Sequence, residues 1–460
     1  MIKVASKIEE ALKAADETRA LIIGNDILYQ VPQLFNEQFP GQEAIIIADS
    51  NTYRVAGEKV ESLLQEAGIQ QKRCYIFTDP DLYAEYGFVE KLVDVLKNTR
   101  AIPIAVGSGT INDLTKLASH KTGRRYMCVA TAASMDGYTA FGASITYKGA
   151  KQTFNCPAPQ ACLADVGIIA NAPAEMTASG YADLFAKITA GADWILSDSL
   201  NIEKIDNQSW NIVQGGLGDA LADPQGISEG KESAIEKLIE GLMLGGFAMQ
   251  AHKTSRPASG AEHQFSHLWN MEHHTNHGKH ISHGFQVAIG TLAITALYEL
   301  FLDTPIHDLD IQACCQAWPT LEELEEDARE QFYDTDFPEI GMIETKAKYI
   351  SGKELSGQLQ ILKENWTKIR SKLKAQLVPY VEVRQRLSQV GAPINPEEIG
   401  VTREYLRQTF IRSQYIRRRF TILDIAVRTN LLEKWLDQLF GEGGCWDKMK
   451  HSEKIGTINN

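Results

Sequence analysis

The chain has 460 residues, of which 44% are hydrophobic and 23% charged, as is typical of a globular protein with more than one domain. Its net charge of −13 argues against a general nucleic-acid binder, because such proteins hold phosphate backbones with an excess of lysine and arginine. Seven cysteines without a CxxC pair favour a reducing compartment, and no apolar run reaches the roughly 18–20 residues of a membrane span.

The first stretch, "MIKVASKIEEALKAADETRA", has the pattern of an amphipathic helix and not of a signal peptide, so we expect a cytoplasmic protein. Short apolar runs and amphipathic stretches then alternate. The predicted strands are "ALIIGN", "AIIIAD" (44–49), "CYIFTD" (74–79), "IPIAVGSG" (102–109) and "YMCVATA" (126–132). Helical spacing of apolar residues marks "TYRVAGEKVESLLQEAG" and "FVEKLVDVLKNT" between them. This alternation predicts a parallel sheet covered by helices, with a ligand crevice at the carboxyl ends of the strands.

From about residue 174 the strand pattern disappears. The segments "AEMTASGYADLFAKITAGADWILSD", "AIEKLIEGLMLGGFAMQAH", "GFQVAIGTLAITALYELFL" and "LEKWLDQLF" all have helical periodicity. We therefore predict an α/β domain over residues 1–172 and a mostly helical domain over 173–460, with Asn171 and Pro173 marking the boundary.

A strand, a glycine turn and a helix start follow one another in "IAVGSGTINDLTKLAS". Gly107 and Gly109 would let the backbone approach a ligand, and the helix would aim its unpaired N–H groups at an anion. Asp113 either caps that helix or contributes to a cofactor site. Asp49, at the end of the second strand, either accepts hydrogen bonds from an adenosine ribose or is a turn residue. Together these positions favour a nucleotide crevice.

Histidine is concentrated in one run. The chain has 11 histidines, and seven of them lie between residues 259 and 290, with His252 just upstream. His263 and His267 fall on one helical face, and His283 opens another apolar helix, so their imidazoles can converge as metal ligands. The other histidines of the run lie in "MEHHTNHGKH", where we expect solvated or supporting residues.

A catalytic ion takes about three protein ligands and keeps an open position. With no cysteine nearby, the third ligand would be a carboxylate, for which "SGYADLFAK" offers Asp183. An ion pair between Asp183 and Lys187, four residues on, is the alternative, and periodicity does not separate the two.

Seven segments in order resemble the superfamily of iron-containing alcohol dehydrogenases, glycerol dehydrogenase and 3-dehydroquinate synthase, and within it bacterial sn-glycerol-1-phosphate dehydrogenases. They are "VGSGTINDLTK", "TAASMDGYTAFGASIT", "KQTFNCPAPQACLADVGIIANAP", "SGYADLFAKITAGADW", "SRPASGAEHQFSH", "HGFQVAIGT" and "RRRFTILDIA". The resemblance implies a Rossmann-like NAD(P)-binding domain followed by an α-helical metal- and substrate-binding domain. It also implies that Asp183, His263 and His283 bind a divalent metal. One departure is visible, because Ala182 stands where the family would have glycine.

For the cofactor, NAD or NADP, the resemblance implies that Gly107, Ser108 and Gly109 hold the pyrophosphate and Asp49 the adenosine ribose. The remaining implied contacts are Thr131 and Ser134 along the cofactor and Asp136 facing the substrate. Asp49 would repel a 2′-phosphate and so favours NAD, whereas Arg54 could accommodate NADP.

The implied reaction interconverts sn-glycerol 1-phosphate and dihydroxyacetone phosphate by hydride transfer, in which His267 either has a supporting or proton-relay role or merely packs its helix. The ligand set suits zinc, nickel or iron. Lys151 and Arg256 are candidates for the substrate phosphate, with solvated surface charge as the alternative. For Arg417, Arg418 and Arg419, charge alone favours a helix face or an interface. Rival readings are a glycerol dehydrogenase, a 3-dehydroquinate synthase or a non-catalytic metal-binding scaffold, and the resemblance suggests a homodimer or larger homo-oligomer.

Overall fold

The α/β character of the first part of the chain is confirmed by the computed structural model, which describes residues 2–148 and 150–447. Eight strands are present in these residues. They are β1 (Ala20–Gly24), β2 (Ala44–Asp49), β3 (Tyr75–Phe77), β4 (Ile102–Gly107), β5 (Met127–Ala130), β6 (Ala143–Tyr147), β7 (Ala150–Phe154) and β8 (Ala161–Asp165). All lie before residue 166, so the predicted loss of strands in the second part is also confirmed across 166–447.

Helices connect the strands and form almost all of the regular structure that follows. Up to residue 199 they are α1 (Ile2–Ala14), α2 (Val31–Gln38), α3 (Ser50–Thr52), α4 (Glu58–Glu66), α5 (Tyr86–Lys97), α6 (Gly109–Lys121), α7 (Val166–Ala170), α8 (Ala174–Phe185) and α9 (Lys187–Ser199). Up to residue 317 they are α10 (Asn207–Gln214), α11 (Leu217–Ala220), α12 (Pro224–Ser228), α13 (Glu232–His252), α14 (Ala261–Met271), α15 (His283–Asp303) and α16 (Ile311–Ala317). The remaining ones are α17 (Leu321–Phe332), α18 (Ile340–Lys348), α19 (Gly352–Glu364), α20 (Trp366–Gln376), α21 (Tyr380–Gln389), α22 (Arg403–Arg412), α23 (Ile422–Arg428) and α24 (Leu432–Phe440).

Six parallel strands form the main sheet, in the order β1-β8-β5-β4-β2-β3. The chain runs outward from β2 to β3 and then returns to the other side of β2 as β4, from which it continues to β5. The strand order therefore reverses between β2 and β4, and open α/β sheets bind ligands at the carboxyl ends of such a strand pair. Asp49 ends β2 and Gly107 ends β4, so the two predicted cofactor positions flank this point.

The chain forms two compact units. The first contains the described residues up to Lys187, together with Asp206–Ala258 and Leu387–Ala392. The second contains Ile188–Ile205, Ser259–Arg386 and residues 393–447. The first unit extends beyond residue 172 because α13 packs on α1, α7 and α8. The predicted division of roles at residues 172 and 173 stays a prediction.

The second unit is built around helix α15. Its sequence, "HGFQVAIGTLAITALYELFLD", carries apolar residues on all sides, which is typical of a helix surrounded by protein. By length and mean hydropathy, 1.6, it is the one helix in the described residues that could cross a membrane, and 83% of its apolar window is buried inside the protein. Among the residues packed in this unit are Trp269, Tyr298 and Trp435, each 0–1% exposed.

Candidate active site

Three adjacent parallel strands bring predicted cofactor residues to one edge of the sheet. Asp49 ends β2, Gly107 ends β4, and Thr131 follows β5, with its backbone N–H donating to the Gly107 carbonyl at 3.1 Å. Ser108 is the N-cap residue of α6, and its side chain makes no capping hydrogen bond. The amino end of a 13-residue helix therefore opens at this edge, where its N–H groups and dipole suit an anion.

The local backbone geometry requires glycine at position 107, whether or not a ligand binds there. A Cβ there would lie 2.6 Å from the Cβ of Ile111, so only glycine permits this tight turn from β4 into α6. Asp49 also has a structural role, because its Oδ1 stabilises the turn after β2 by accepting from the N–H groups of Asn51 at 2.8 Å and Thr52 at 3.0 Å. Its Oδ2 has no hydrogen bond in the described part of the chain, so the turn role leaves one oxygen for a ligand. The cofactor role of these residues stays a prediction.

Asp113 is not the cap of α6, because Ser108 occupies that position. Instead, Asp113 Oδ2 accepts from the Ser144 N–H at 3.2 Å, and its Oδ1 lies 3.6 Å from Lys116 Nζ. Burial raises the pKa of Asp113, and the charge of Lys116 opposes this rise. Lys151 lies on β7, where burial lowers its pKa while the charges of Asp113 and then Asp183 act in the opposite direction.

Asp136, Asp183 and Lys187 form a buried charge cluster in the first unit. Lys187 Nζ lies 2.7 Å from Asp136 Oδ2 and 2.7 Å from Asp183 Oδ1. Asp183 Oδ2 accepts the Asp136 backbone N–H at 3.0 Å. The side chains of Asp183 and Lys187 are 0% exposed. Although burial alone would lower the pKa of Lys187, the two carboxylates raise it. The ion pair between Asp183 and Lys187, which the sequence offered as the alternative to metal binding, is therefore present. It orients the Asp183 carboxylate, which the resemblance implies as a metal ligand.

Helix α8 approaches the segment that carries Asp136 very closely. A Cβ on Gly180 would lie 1.9 Å from the carbonyl oxygen of Ala133, so this contact requires glycine. Ala182, where the family would have glycine, is 0% exposed, and α8 runs unbroken through it. Ser134 lies in the same segment and its carbonyl accepts from the Ser179 hydroxyl at 3.3 Å.

In the second unit, His263 is held by the residue before it. Glu262 Oε1 accepts a 2.7 Å hydrogen bond from His263 Nδ1 and a 2.6 Å bond from the Gly260 N–H, and its Oε2 accepts from the Thr189 hydroxyl at 2.9 Å. Burial opposes ionisation of Glu262, but the hydrogen bond and charge of His263, helped by backbone N–H groups, hold its pKa below the usual value. The Nδ1 hydrogen bond fixes the ring and leaves Nε2 as its ligand atom.

A similar arrangement holds His283, the first residue of α15. The Ser266 hydroxyl donates to Gln286 Oε1 at 2.7 Å and lies 3.2 Å from His283 Nδ1, from which it can accept. Asn270 Nδ2 donates to the same Gln286 oxygen at 2.9 Å. The Nδ1 atoms of both histidines are thus engaged by neighbours, and both rings can present Nε2 to a common ligand.

His267 completes a group of three imidazoles. Its ring centroid lies 6.4 Å from that of His263 and 6.5 Å from that of His283, which are themselves 5.2 Å apart. The Arg417 guanidinium donates from Nη2 to His267 Nε2 at 3.1 Å, and such a bond requires an unprotonated acceptor nitrogen.

One carboxylate belongs with this histidine pair. Ligand atoms of Asp183, His263 and His283 all lie within 4.8 Å of one another, and these residues are the one group in the described part of the chain with the composition and spacing of a metal site. Asp183 and His263 are buried and His283 is partly buried.

Of the other histidines in and near the run, three contact other residues and His277 is exposed. His273 Nε2 lies 2.8 Å from Asp336, and about half of its side chain is exposed. His274 Nε2 donates to the Ile399 carbonyl at 2.8 Å, and His277 is exposed with a φ of 50°. His252, at the end of α13, lies 2.8 Å from the Thr254 hydroxyl.

Of the predicted phosphate ligands, Arg256 is 1% exposed in a short 3-10 turn of the first unit. Sequence reasoning did not find Glu262, Ser266 or the contact of Arg417 with His267. The only signal for Glu262 was its place beside His263 in "GAEHQ", since a carboxylate often holds the second nitrogen of a ligating histidine.

Known proteins are similar to this chain in sequence and in fold. Residues 22–173 match the family model described as iron-containing alcohol dehydrogenase. The chain is 35% identical over 286 residues to the glycerol-1-phosphate dehydrogenase, NAD(P)+, of Halalkalibacterium halodurans, a match that covers 62% of this chain and 71% of that one. It is 33% identical over 317 residues to the enzyme of the same name from Bacillus subtilis, covering 67% of this chain and 80% of that one.

The fold resembles that of a solved glycerol dehydrogenase from Schizosaccharomyces pombe. The TM-score is 0.58 at 16% identity, over 92% of this chain and 90% of that one. At this identity the likeness shows the fold alone, whereas the two bacterial relatives are similar enough in sequence to show the family. The chain belongs to the glycerol-1-phosphate dehydrogenase family, which has the fold of the iron-containing alcohol dehydrogenases.

Proposed function

We propose that this protein is a metal-dependent, NAD(P)-linked dehydrogenase that interconverts sn-glycerol 1-phosphate and dihydroxyacetone phosphate. Family membership supports the reaction. The observation that carries the proposal is the donor set: two imidazoles with engaged Nδ1 atoms and one carboxylate, with ligand atoms within 4.8 Å of one another.

The donor set fits a divalent transition metal. Neutral imidazole nitrogens with one carboxylate suit zinc, nickel and iron, and three protein ligands leave positions for a substrate. Asp183, His263 and His283 would hold this ion. The candidate ions are zinc and nickel, with iron as a third, because ligand type does not separate them.

When bound, the metal would supply a Lewis acid for the substrate oxygen, and the nicotinamide cofactor would supply the hydride chemistry. The protein's own residues hold these groups in place. Glu262 and Ser266 fix the orientation of the two imidazoles. Lys187 pairs with both Asp136 and Asp183 and offsets part of their charge in a largely buried site, and the Asp136 backbone N–H holds the second oxygen of Asp183. We propose that Asp136 faces the substrate.

For the cofactor, we propose that the pyrophosphate lies against Gly107, Ser108 and Gly109, at the amino end of α6. Asp49 would accept from the adenosine ribose through Oδ2, and this favours NAD over NADP. The open helix terminus and the reversal of strand order between β2 and β4 support this placement. The remaining proposed contacts are Asp113, Thr131 and Ser134 for the cofactor, and Lys151 and Arg256 for the substrate.

Cellular location and assembly complete the proposal. We infer that the enzyme acts in the cytoplasm, where both nicotinamide cofactors and phosphorylated three-carbon substrates are available. We also infer that it assembles as a homodimer or a larger homo-oligomer.

The test is an activity assay on metal-stripped protein refilled with one ion at a time. Dihydroxyacetone phosphate is supplied with NADH or NADPH, and oxidation is followed by the loss of nicotinamide absorbance. We expect no activity without metal and stoichiometric oxidation of the cofactor after refilling with zinc, nickel or iron.

Each rival predicts a different result in that assay. A glycerol dehydrogenase would turn over glycerol and dihydroxyacetone with a kcat/KM at least as high as that for their phosphates, and a 3-dehydroquinate synthase would show no net change in nicotinamide. Full activity after verified removal of all metal, or a complete lack of turnover of the phosphorylated substrates with every ion, would overturn the proposal.

A further inference from the structure

The three consecutive arginines at residues 417–419 have different partners. Arg418 Nη2 lies 2.8 Å from Glu344 Oε1, and its side chain is 64% exposed. Arg419 donates to the Ser259 carbonyl at 2.6 Å. Arg417 donates to His267, and among the described residues this is the only hydrogen bond that its guanidinium makes.

The unmatched state of Arg417 is unusual for this unit. Other partly or fully buried arginines there are paired with acceptors: Arg403 with Glu397, Arg412 with Glu272, and Arg428 with Gln358 and the Lys348 carbonyl. No carboxylate lies within ion-pair distance of Arg417 in the described residues, because Glu344 is bound to Arg418. A guanidinium has five N–H donors, so four of those on Arg417 remain for another acceptor.

A partly buried cation without a counterion is a favourable site for an anion. Burial lowers the pKa of Arg417, and the charge of Glu344 opposes this only in part. Guanidinium groups stay protonated at physiological pH, so a buried one needs an anion to offset the loss of hydration. Arg417 is only partly buried, so its unused N–H groups are accessible to an anion from outside the chain.

The position of Arg417 beside the histidine group indicates which anion would bind it. Its guanidinium contacts the ring of His267, which lies within 6.4–6.5 Å of the two other imidazoles of the histidine group. A group bound to Arg417 is thus a few bond lengths from anything held by those imidazoles. In glycerol phosphates and dihydroxyacetone phosphate, two atoms separate the phosphorus from the reacting carbon, so a substrate whose reacting end lies at the imidazoles carries its phosphate close by.

We infer that Arg417, oriented by His267, binds the phosphate group of the substrate. This inference rests on the proposed function. The planar fork of a guanidinium presents two parallel N–H groups, which match two phosphate oxygens, and a charge-assisted bond of this kind is among the strongest in proteins. His267 is then a positioning residue: it accepts from Nη2 and directs the other N–H groups of Arg417 toward the ligand.

The experiment compares wild type with Arg417→Gln, Arg417→Lys and Arg418→Gln, each metal-loaded. Dihydroxyacetone phosphate is titrated by calorimetry without nicotinamide, so that binding is measured apart from turnover. Arg417→Gln should weaken binding on the order of 100-fold, because it removes one partner of a partly buried, hydrogen-bonded charge pair. Arg417→Lys keeps the charge but loses the fork and should weaken it about 10-fold. Arg418→Gln removes the same charge from the exposed neighbouring position and should change binding less than about threefold.

Two further measurements separate a phosphate site from a structural role. The kcat/KM for dihydroxyacetone should change less than about threefold in Arg417→Gln, while that for its phosphate falls with the binding constant. His267→Gln, which retains an oxygen acceptor for Arg417, should bind the phosphate better than His267→Ala. Thermal unfolding identifies any variant that has lost its fold. If Arg417→Gln is such a variant, the phosphate affinity of Arg417→Lys tests the inference in its place.

The failures are distinguishable. If wild type does not bind or reduce dihydroxyacetone phosphate, the proposed function fails. If wild type does so and a folded Arg417→Gln binds it within threefold of wild type, or loses both substrates equally, the inference about Arg417 is overturned.

Discussion

Glu262 Oε1 accepts a 2.7 Å hydrogen bond from Nδ1 of His263, its neighbour in the chain. The carboxylate is 0% exposed and is also held by the Gly260 N–H and the Thr189 hydroxyl, so it cannot follow the ring if the ring turns. The imidazole orientation is therefore set by an acidic residue that need not contact any ligand.

Glu262→Gln should weaken metal binding about 10- to 100-fold, because the amide supports the imidazole without a negative charge. The measurement is competition for zinc or nickel with a chelator of known affinity. Asp336→Asn is the matched control, since Asp336 pairs with the exposed His273 and should leave metal affinity unchanged. Equal affinities for Glu262→Gln and wild type would show that Glu262 does not support a metal ligand.

Lys187→Met should destabilise the metal-free protein by about 3–5 kcal/mol, because it leaves Asp136 and Asp183 facing each other without a cation. Urea unfolding of the stripped protein measures this loss. Lys97→Met removes a lysine from an exposed pair with Asp94 and should cost less than about 1 kcal/mol. A bound divalent ion should recover part of the loss in Lys187→Met, and no difference between the two variants would contradict the role of the buried ammonium.

Gly180→Ala should displace the segment that carries Asp136, because the added Cβ would lie 1.9 Å from the Ala133 carbonyl oxygen. We expect a loss of several kcal/mol in stability together with loss of activity. Gly357→Ala lies within helix α19, where an added Cβ meets nothing within 4 Å. It should be neutral or stabilise by about 0.5–1 kcal/mol, since alanine favours a helix more than glycine does. Comparable unfolding curves for the two variants would refute the predicted close contact.

Glu240 predicts a pH dependence of stability. Burial, with repulsion from Glu236, raises its pKa from 4.5 to about 7 in the folded protein. Below pH 4.5 the carboxyl is protonated in the folded and the unfolded protein and does not affect the free energy of unfolding. As the pH rises from 4.5 to about 7, the raised pKa destabilises the folded protein increasingly, and above about 7 this destabilisation stays constant. Glu240→Gln should therefore stabilise the protein at pH 8 by about 1–2 kcal/mol, allowing for partial exposure, and have no effect near pH 4. Urea midpoints at the two pH values provide the check, and a gain of equal size at both would exclude titration of Glu240 as its cause.

Most of the sheet could be predicted from sequence because its strands are apolar runs between turn residues. Strands β1 to β5 lie within the five predicted segments. Strand β8, Ala161–Asp165, escaped prediction because "ACLAD" is short and rich in small residues, and burial on both faces leaves no alternation. The hairpin β6–β7 escaped as well, since its strands are five residues each and mostly polar.

The site was less predictable, since its supporting contacts join distant parts of the chain. Periodicity places His263 and His267 on one face, but it does not show that Glu262 reaches Thr189 or that Arg417 reaches His267 across 150 residues. The charge of residues 417–419 favoured a surface element, and only the partners in the fold distinguish Arg417 from its two neighbours. Such pairings depend on how the helices pack, which local sequence patterns do not encode.

His283 is the first residue of α15, the apolar helix that the rest of its unit surrounds. Its backbone cannot move far without tilting or unwinding that helix, so displacement of this ligand by a backbone shift is tied to loosening of the hydrophobic core. Exchange of the proposed ion should therefore be slow and steeply temperature-dependent, as global unfolding is. It should be slower than exchange at a site whose ligand lies on a loop.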